Sequence, residues 1–271
     1  TLGRTVIRLL NPTNGQVIYK GTDLATLSGE EMRKLRQEIQ IIFQDPYASL
    51  NPRMTVRELI QAPLGVYSHE SEAEKLAKVK NIMAKVGLRE EYMSKYPHEF
   101  SGGQRQRIVI ARALILEPKF IFCDEPVSAL DVSVRAQVLN LMKDLQKEFN
   151  LTYMFISHDL SVVRFLCDRI GVMYLGRMVE IADRQELYDN PMHPYTKALL
   201  SAIPVPDVDV DHEPILLEGD IPSPYNPPKG CLFHTRCKYA MECCKNEVPQ
   251  MRQIGENHCV ACHLYDNTEK E

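Results

Sequence analysis

Three features that would each define a class of protein are missing from this 271-residue sequence. No apolar run reaches the ~18 residues that a membrane-spanning helix requires, and no export signal opens the chain. Positive charge is not in excess either, because 32 Lys and Arg residues face 36 Asp and Glu residues, for a net charge of -4. We therefore expect a soluble protein that reaches a membrane only through partners and does not bind nucleic acid in general.

Cysteine is sparse in most of the chain and crowded near its end. Six of the eight cysteines lie between Cys231 and Cys262. Because no export signal is present, we expect reduced thiols rather than disulfides, and the crowding suggests a metal site. The other two, Cys123 and Cys167, stand among apolar residues and are expected to belong to the core.

The most informative segment runs over residues 100–131. Ser101 is a good helix N-cap, and Gly102 and Gly103 carry no side chain that would keep a phosphate from the first backbone amides of the helix. The helix itself is predicted over Gln104 to Leu116. Its start is therefore a candidate site for an anion.

A short apolar strand that ends in two carboxylates follows this helix. Residues 120–123 read Phe-Ile-Phe-Cys, which is typical of a strand covered on both faces in a parallel sheet. Asp124 and Glu125 come directly after it, where open α/β sheets bind ligands, and neighbouring side chains on a strand point to opposite faces. We expect Asp124 to hold the magnesium that bridges nucleotide phosphates, and Glu125 to orient or deprotonate the attacking water. An ordinary loop opening is the alternative for the dipeptide alone.

As a set, these motifs resemble those of the ATP-binding cassette (ABC) ATPases. Residues 101–107 resemble the signature motif of that family, residues 120–125 its Walker B strand with the catalytic glutamate, and residues 128–131 its D-loop. The resemblance implies that the signature of one subunit closes over the ATP held by its partner, in a head-to-tail dimer with two composite sites. The nucleotide-binding residues that it implies are Ser101, Gly102, Gly103, Gln104 and Asp131.

Two further residues match motifs of the same family. Gln44 follows a predicted strand over residues 39–43 and resembles the glutamine of the Q-loop, which touches magnesium and the water. His158 follows a predicted strand over residues 151–157 and resembles the switch histidine, which bonds the γ-phosphate. Either residue alone would more often be structural, and only its place among the other motifs favours a functional role.

The start of the chain matches the middle of the family pattern. Thr1 resembles the position directly after GxxxxGK[ST], the loop whose amides and lysine hold the β- and γ-phosphates. The sequence therefore looks like a fragment, and as written it is expected not to hydrolyse ATP at its own P-loop site. A helix is predicted over residues 1–10.

The predicted fold is α/β: a P-loop NTPase-like ABC ATPase core with a mixed sheet and a helical subdomain, plus a small Cys-rich C-terminal extension. We expect the ATPase domain over residues 1–203, with the helical subdomain at about 51–100 and a Pro-rich linker and extension over 204–271. Residues 47–52 are a candidate contact for the coupling helix of a membrane subunit, with an ordinary solvated loop as the alternative.

Two segments in the last third of the chain make the resemblance more specific, because they point to one group within the family. Residues 190–196, Asn-Pro-Met-His-Pro-Tyr-Thr, and 226–231, Asn-Pro-Pro-Lys-Gly-Cys, resemble the ATP-binding subunits of oligopeptide and dipeptide permeases. This implies an ATPase that powers peptide import at the cytoplasmic face of the cell membrane. It would pair with a sister ATP-binding subunit beneath two membrane permease subunits, which an extracellular peptide-binding protein supplies.

Three alternatives stay open at this point. The transported solute could be nickel or another small molecule. The subunit could be non-catalytic and serve only to complete the ATP site of its partner through residues 101–104. Soluble cassette proteins of DNA repair or translation form a third class, but these would need a long coiled-coil insertion or a second cassette, and neither is present in this sequence.

The tail cysteines follow the pattern C-x5-C-x6-C-x17-C. Some members of the resembled group hold a four-iron, four-sulfur cluster on that pattern, and such a cluster requires four thiolates. Zinc is the rival, although structural zinc sites usually show two C-x2-C pairs and only Cys259 and Cys262 form one; free thiols are the third possibility. The cluster ligands that we expect are Cys231, Cys237, Cys244 and Cys262.

Overall fold

The computed structural model describes residues 2–203 and 214–266. The chain divides into two compact units, Thr1–His158 and Asp159–Glu271. Residues 204–213 of the expected linker lie outside the described part, and the domain boundary expected after residue 203 stays a prediction. No helix in the described part is both long and apolar enough to cross a membrane.

The first unit alternates helices with the strands of a parallel sheet. In chain order its elements are α1 (Leu2–Val6), β1 (Ile18–Tyr19), β2 (Thr22–Asp23), α2 (Gly29–Leu35), β3 (Ile39–Ile42), α3 (Val56–Tyr67), α4 (Glu72–Lys85), α5 (Gly102–Leu114), β4 (Phe120–Asp124), α6 (Val132–Phe149) and β5 (Thr152–Ile156).

The sheet of the first unit places the predicted site residues at one edge. Its order is β3-β4-β5, and both pairs are parallel, with Asp124 opposite Ile156 at the end of the ladder. Ile121, Phe122 and Cys123 of the central strand are fully buried, which agrees with the prediction of a strand covered on both faces. Because parallel strands share a carboxyl edge, the residues that follow all three strands lie on the same side of the sheet.

Side-chain caps fix several helix starts, at places where a Ser or Thr followed three residues later by Glu predicts a capping box. Capping boxes join Ser28 to Glu31, Thr55 to Glu58 and Ser71 to Glu74. Each box satisfies two backbone amides that the first turn of a helix leaves unpaired. The stretch from residue 51 to 100 is helical as predicted, and its apolar faces are buried against α5.

Some predicted boundaries were wrong for local reasons. α1 ends at Val6 rather than near Leu10, because Arg8 takes a positive φ of 54° and the amides of Leu9 and Leu10 both bond to the Arg4 carbonyl. The sequence also predicts a strand over residues 16–20, but only the two residues of β1 form one. α5 begins and ends two residues earlier than predicted, since its glycines already belong to the first turn.

The second unit is built on an antiparallel sheet. In chain order its elements are α7 (Leu160–Leu166), β6 (Arg169–Tyr174), β7 (Arg177–Asp183), α8 (Arg184–Asp189), α9 (Pro194–Ser201), α10 (Glu242–Asn246), β8 (Arg252–Gly255) and β9 (His258–Val260).

The C-terminal region completes the sheet of this second unit. Residues 169–175 and 177–181, separated by Gly176, predict a hairpin, and β6 and β7 form it with a turn at Leu175 and Gly176, both with positive φ. The sheet order is β6-β7-β9-β8. β9 pairs with β7 through Glu180 opposite Val260. The tail therefore contributes strands to the sheet of the hairpin, which the sequence did not predict.

A buried carboxylate fastens three segments of the second unit together. Glu180 is fully buried, and its carboxylate accepts hydrogen bonds from the backbone amides of Met192 (2.7 Å) and His193 (2.9 Å). His258 Nε2 lies 2.7 Å from Oε1 of the same carboxylate. Burial lowers the pKa of His193 to about 4, so this ring is neutral at physiological pH.

Candidate functional site

Three predicted catalytic residues meet at the carboxyl edge of the parallel sheet. The Glu125 carboxylate is the centre, because its Oε2 accepts a hydrogen bond from Gln44 Nε2 at 3.0 Å and lies 3.1 Å from His158 Nδ1. Gln44 follows β3, Glu125 follows β4 and His158 follows β5. Residues that are 81 positions apart in the sequence, such as Gln44 and Glu125, are thus brought together by the strand order.

The backbone of Glu125 takes a conformation that residues with a side chain rarely adopt. Its φ is 47°, in the left-handed region. Several contacts hold it there: the Glu125 amide donates to the Ile156 carbonyl, and the Glu125 carbonyl accepts from both the amide (3.2 Å) and the hydroxyl (3.0 Å) of Ser128. Strain of this kind persists only where the surroundings impose it, and it concentrates at functional sites.

Asp124 and Glu125 differ in their surroundings, as the sequence predicts for neighbouring strand residues. Asp124 ends β4 and is half-buried, and within residues 2–203 and 214–266 no hydrogen bond or ion pair to its carboxylate is present. A carboxylate and an amide oxygen, as Asp124 and Gln44 carry them, are donors of the kind that a hard cation such as magnesium prefers. Their role as ligands of a magnesium ion stays a prediction.

The start of α5 has the geometry of an anion site. Ser101 Oγ accepts from the Gln104 amide, and Gln104 Oε1 accepts from the Ser101 amide at 3.1 Å. This box leaves the amides of Gly102 and Gly103 without an intrahelical partner, at the positive end of a 13-residue helix. In the described residues no hydrogen bond links this helix start to the Glu125 carboxylate.

Gly103 has a packing role that the sequence did not reveal. A Cβ atom at Gly103 would overlap Val134 in the first turn of α6, whereas one at Gly102 would only touch Leu130 at 3.4 Å. The first turns of α5 and α6 are thus in direct contact. The second glycine of the motif is needed for this close approach as well as for access to an anion.

Asp131, which was predicted to belong to the nucleotide site, caps α6. Its carboxylate accepts from the Val134 amide at 3.0 Å and from the Ser133 hydroxyl at 2.9 Å. The backbone hydrogen bond from Val134, with that from the Ser133 hydroxyl, lowers the pKa of Asp131. Asp131 is therefore a structural cap, and its contact with a nucleotide stays a prediction.

The four tail cysteines lie near each other without forming a metal site. The Cys231 amide donates to the Cys244 carbonyl at 2.8 Å, and burial raises the pKa of Cys262 to about 12, with smaller contributions from the three other thiols. Across the described parts of the chain, no group of three or more His, Cys, Asp or Glu side chains is arranged to hold a metal ion. This arrangement gives no support to the expected iron–sulfur cluster or zinc ion, so both stay predictions.

Comparisons with known proteins agree with the fold. Residues 1–128 match the sequence model described as ABC transporter, and residues 179–244 match the one described as oligopeptide/dipeptide transporter, C-terminal region. The oligopeptide transport ATP-binding protein AppF of Bacillus subtilis is 58% identical over 268 residues, which cover 98% of this chain and 82% of AppF. OppF of Haemophilus influenzae, another oligopeptide transport ATP-binding protein, is 52% identical, with 97% and 80% covered.

Solved structures of ABC proteins share the fold. CbiO1 of Clostridium perfringens, part of the ABC transporter complex cbiONQ, aligns with a TM-score of 0.63 at 29% identity and covers 70% of this chain and 74% of its own. The dimeric ATP-binding cassette MJ0796 with ADP and Pi aligns with a TM-score of 0.60 at 29% identity, covering 68% and 79%. Fold and site together define an ATPase of the cassette type. The chain belongs to the ABC transporter family, in the group that carries the oligopeptide/dipeptide transporter C-terminal region.

Proposed function

We propose that this chain is the ATP-hydrolysing subunit that powers import of oligopeptides or dipeptides from the cytoplasmic face of the cell membrane. The observation that carries the proposal is the convergence of Gln44, Glu125 and His158 at one sheet edge. Relatives that are 52–58% identical over nearly the whole chain are named for oligopeptide transport, which supports peptides as the solute.

The hydrolytic step follows from the chemistry of these side chains. Glu125 Oε2 accepts a proton from a water molecule while the water oxygen attacks the γ-phosphorus of ATP. The bond from that phosphorus to the β–γ bridging oxygen breaks, and ADP leaves. Gln44 positions Glu125, and Asp124 with Gln44 would hold magnesium, which offsets the charge of the phosphates. The His158 side chain is 71% exposed, so its ring is free to turn from Glu125 toward the γ-phosphate.

The partners in this proposal are inferred from the start of α5, which no hydrogen bond links to the Glu125 carboxylate within the described residues. We infer a head-to-tail dimer with a sister ATP-binding subunit, in which Ser101 to Gln104 contact the nucleotide of the sister. Val132, directly after Asp131, is 79% exposed although it is apolar, which suits a surface that a partner covers. Two membrane permease subunits and an extracellular peptide-binding protein would complete the importer.

Uptake into proteoliposomes tests this function. Labelled tri- and tetrapeptides and Ni²⁺ are offered separately to the importer assembled with the full-length subunit, its binding protein and internal ATP. ATP-dependent accumulation of peptide that is abolished by Glu125→Gln supports the proposal. Accumulation of Ni²⁺ without peptide contradicts peptide import, and uptake unaffected by Glu125→Gln would assign this subunit a non-catalytic role.

A four-iron, four-sulfur cluster on the tail cysteines is a separate proposal. Its support is the sequence spacing of Cys231, Cys237, Cys244 and Cys262. Anaerobically purified protein should contain about equal iron and sulfide and lose its brown absorbance in Cys237→Ser. Zinc without iron, or no metal at all, rejects the cluster.

A further inference from the structure

The loop that follows Gln44 is held together by its own hydrogen bonds. The Asp45 carboxylate accepts from the Tyr47 amide at 2.7 Å, and the Asp45 carbonyl accepts from the Ser49 hydroxyl at 2.6 Å. Leu50 closes the loop and is buried. Because these bonds are internal, they hold the loop in one arrangement directly after Gln44.

Two arginines of α5 hold this loop from outside. Arg112 Nη1 donates to the Ser49 carbonyl at 2.6 Å, and the Arg105 guanidinium lies 5.0 Å from the centre of the Tyr47 ring. The two arginines are seven positions apart, two turns along one face of the helix. Arg105 is itself fixed by a hydrogen bond from Nε to the Pro97 carbonyl at 2.9 Å.

Neither contact is explained by core packing alone. Tyr47 is 59% exposed, so the ring gains little from burial and is held mainly by the cation above its face. Arg112 is half-buried, burial lowers its pKa, and its Nη1 donates to the Ser49 carbonyl. The hydrogen bond from Arg112 to the Ser49 carbonyl is therefore a specific contact between α5 and the loop after Gln44.

We propose that Arg105 and Arg112 are positioning residues that couple the signature helix α5 to the Gln44–Glu125 hydrogen bond. The start of α5 is the proposed contact with the nucleotide of the partner, and the loop that Arg105 and Arg112 of α5 contact begins directly after Gln44. Movement of α5 on closure of the dimer would then shift Gln44 Nε2 relative to Glu125 Oε2. This coupling rests on the proposed ATPase function and adds named residues to it.

A double-mutant cycle in the assembled importer tests the coupling. Arg112→Met, Gln44→Ala and the double variant are compared for kcat and KM of ATP hydrolysis and for melting temperature. We expect Arg112→Met alone to lower kcat roughly tenfold with KM unchanged. If Arg112 acts through Gln44, the double variant is no slower than Gln44→Ala.

Arg107→Met is the matched control. Arg107 lies on the same helix and also donates to a backbone carbonyl, that of Val86 at 2.7 Å, but not to the loop after Gln44. Any loss of kcat in Arg107→Met should therefore add to that of Gln44→Ala.

Tyr47 tests the contact of the loop with Arg105. Tyr47→Leu should reproduce the kcat loss, whereas Tyr47→Phe, which keeps the ring face, should keep kcat within about twofold of wild type.

The results separate this proposal from the ATPase function itself. Additive effects of Arg112→Met and Gln44→Ala, or a lower melting temperature with unchanged kcat, overturn the coupling. Failure of Glu125→Gln to reduce turnover overturns the proposed function instead, whatever the arginine variants do.

Discussion

The two units of the molecule use buried and exposed polar groups in opposite ways. In the first unit, the key carboxylate Glu125 is only partly exposed but touches the exposed Gln44 and His158 at a sheet edge, where a substrate can reach it. In the second unit, Glu180 has no exposed surface, and backbone amides and His258 satisfy it. A carboxylate that keeps open neighbours can do chemistry, whereas one that is saturated by internal donors can only hold structure.

The largest expected effect tests the structural half of this comparison. Glu180→Ala removes the acceptor of two buried amides and of His258, so it should destabilise the second unit by roughly 3–5 kcal/mol. In the wild-type protein the backbone amides of Met192 and His193 donate to the Glu180 carboxylate. Their hydrogen exchange should therefore become much faster in the variant. Unchanged exchange at these two amides would contradict the structural role of Glu180.

The glycine pair of the signature gives the next largest effect. Gly103→Ala forces a Cβ into Val134 and should cost roughly 1–3 kcal/mol, whereas Gly102→Ala should be close to neutral for stability. Thermal melting of both variants measures the difference. Equal melting temperatures would mean that Gly103 is not required for packing of α5 against α6.

A pH dependence of similar size should come from His193. Its folded pKa of about 4 lies below the ordinary value of 6.5, so the unfolded chain binds a proton that the folded chain does not, and stability falls as pH is lowered. Between pH 7 and 5 the loss should be about 2 kcal/mol. His193→Gln should flatten this slope, and the exposed His69→Gln should leave it unchanged; a slope that survives His193→Gln contradicts the assignment.

A smaller effect of opposite sign is expected at Gln106. Its side chain is fully buried in α5, and among the described residues neither its amide nitrogen nor its amide oxygen has a hydrogen-bond partner. Gln106→Leu should therefore stabilise the isolated subunit by about 1 kcal/mol. The control Gln40→Leu should destabilise it, because Gln40 donates to the Arg36 carbonyl at 2.5 Å. A less stable Gln106→Leu variant would mean that water or a partner satisfies this amide.

The parts of the site that could be predicted depend on local signals. Gln44, Glu125 and His158 each follow an apolar run, and a parallel sheet brings such strand ends together whatever their distance along the chain. Helix caps were predicted for the same reason, since a box such as Ser71 with Glu74 spans one turn.

The remaining features depend on pairings that no local pattern encodes. The contact of Arg112 with Ser49 joins residues 63 positions apart, and that of His258 with Glu180 joins residues 78 apart. β9 has only three residues, too few to show an alternating pattern. α1 ends early because Arg8 takes a positive φ, and arginine is not a residue type that predicts this conformation.

Single-turnover hydrolysis in the assembled importer tests the central claim most directly. With radiolabelled ATP and Mg²⁺, Glu125→Gln should retain ATP and slow phosphate formation by roughly 10²–10⁴-fold, because the proton acceptor for water is lost. The exposed Glu117→Gln should match the wild type. Phosphate formation at the wild-type rate by Glu125→Gln would contradict the assignment of this carboxylate as the hydrolytic centre.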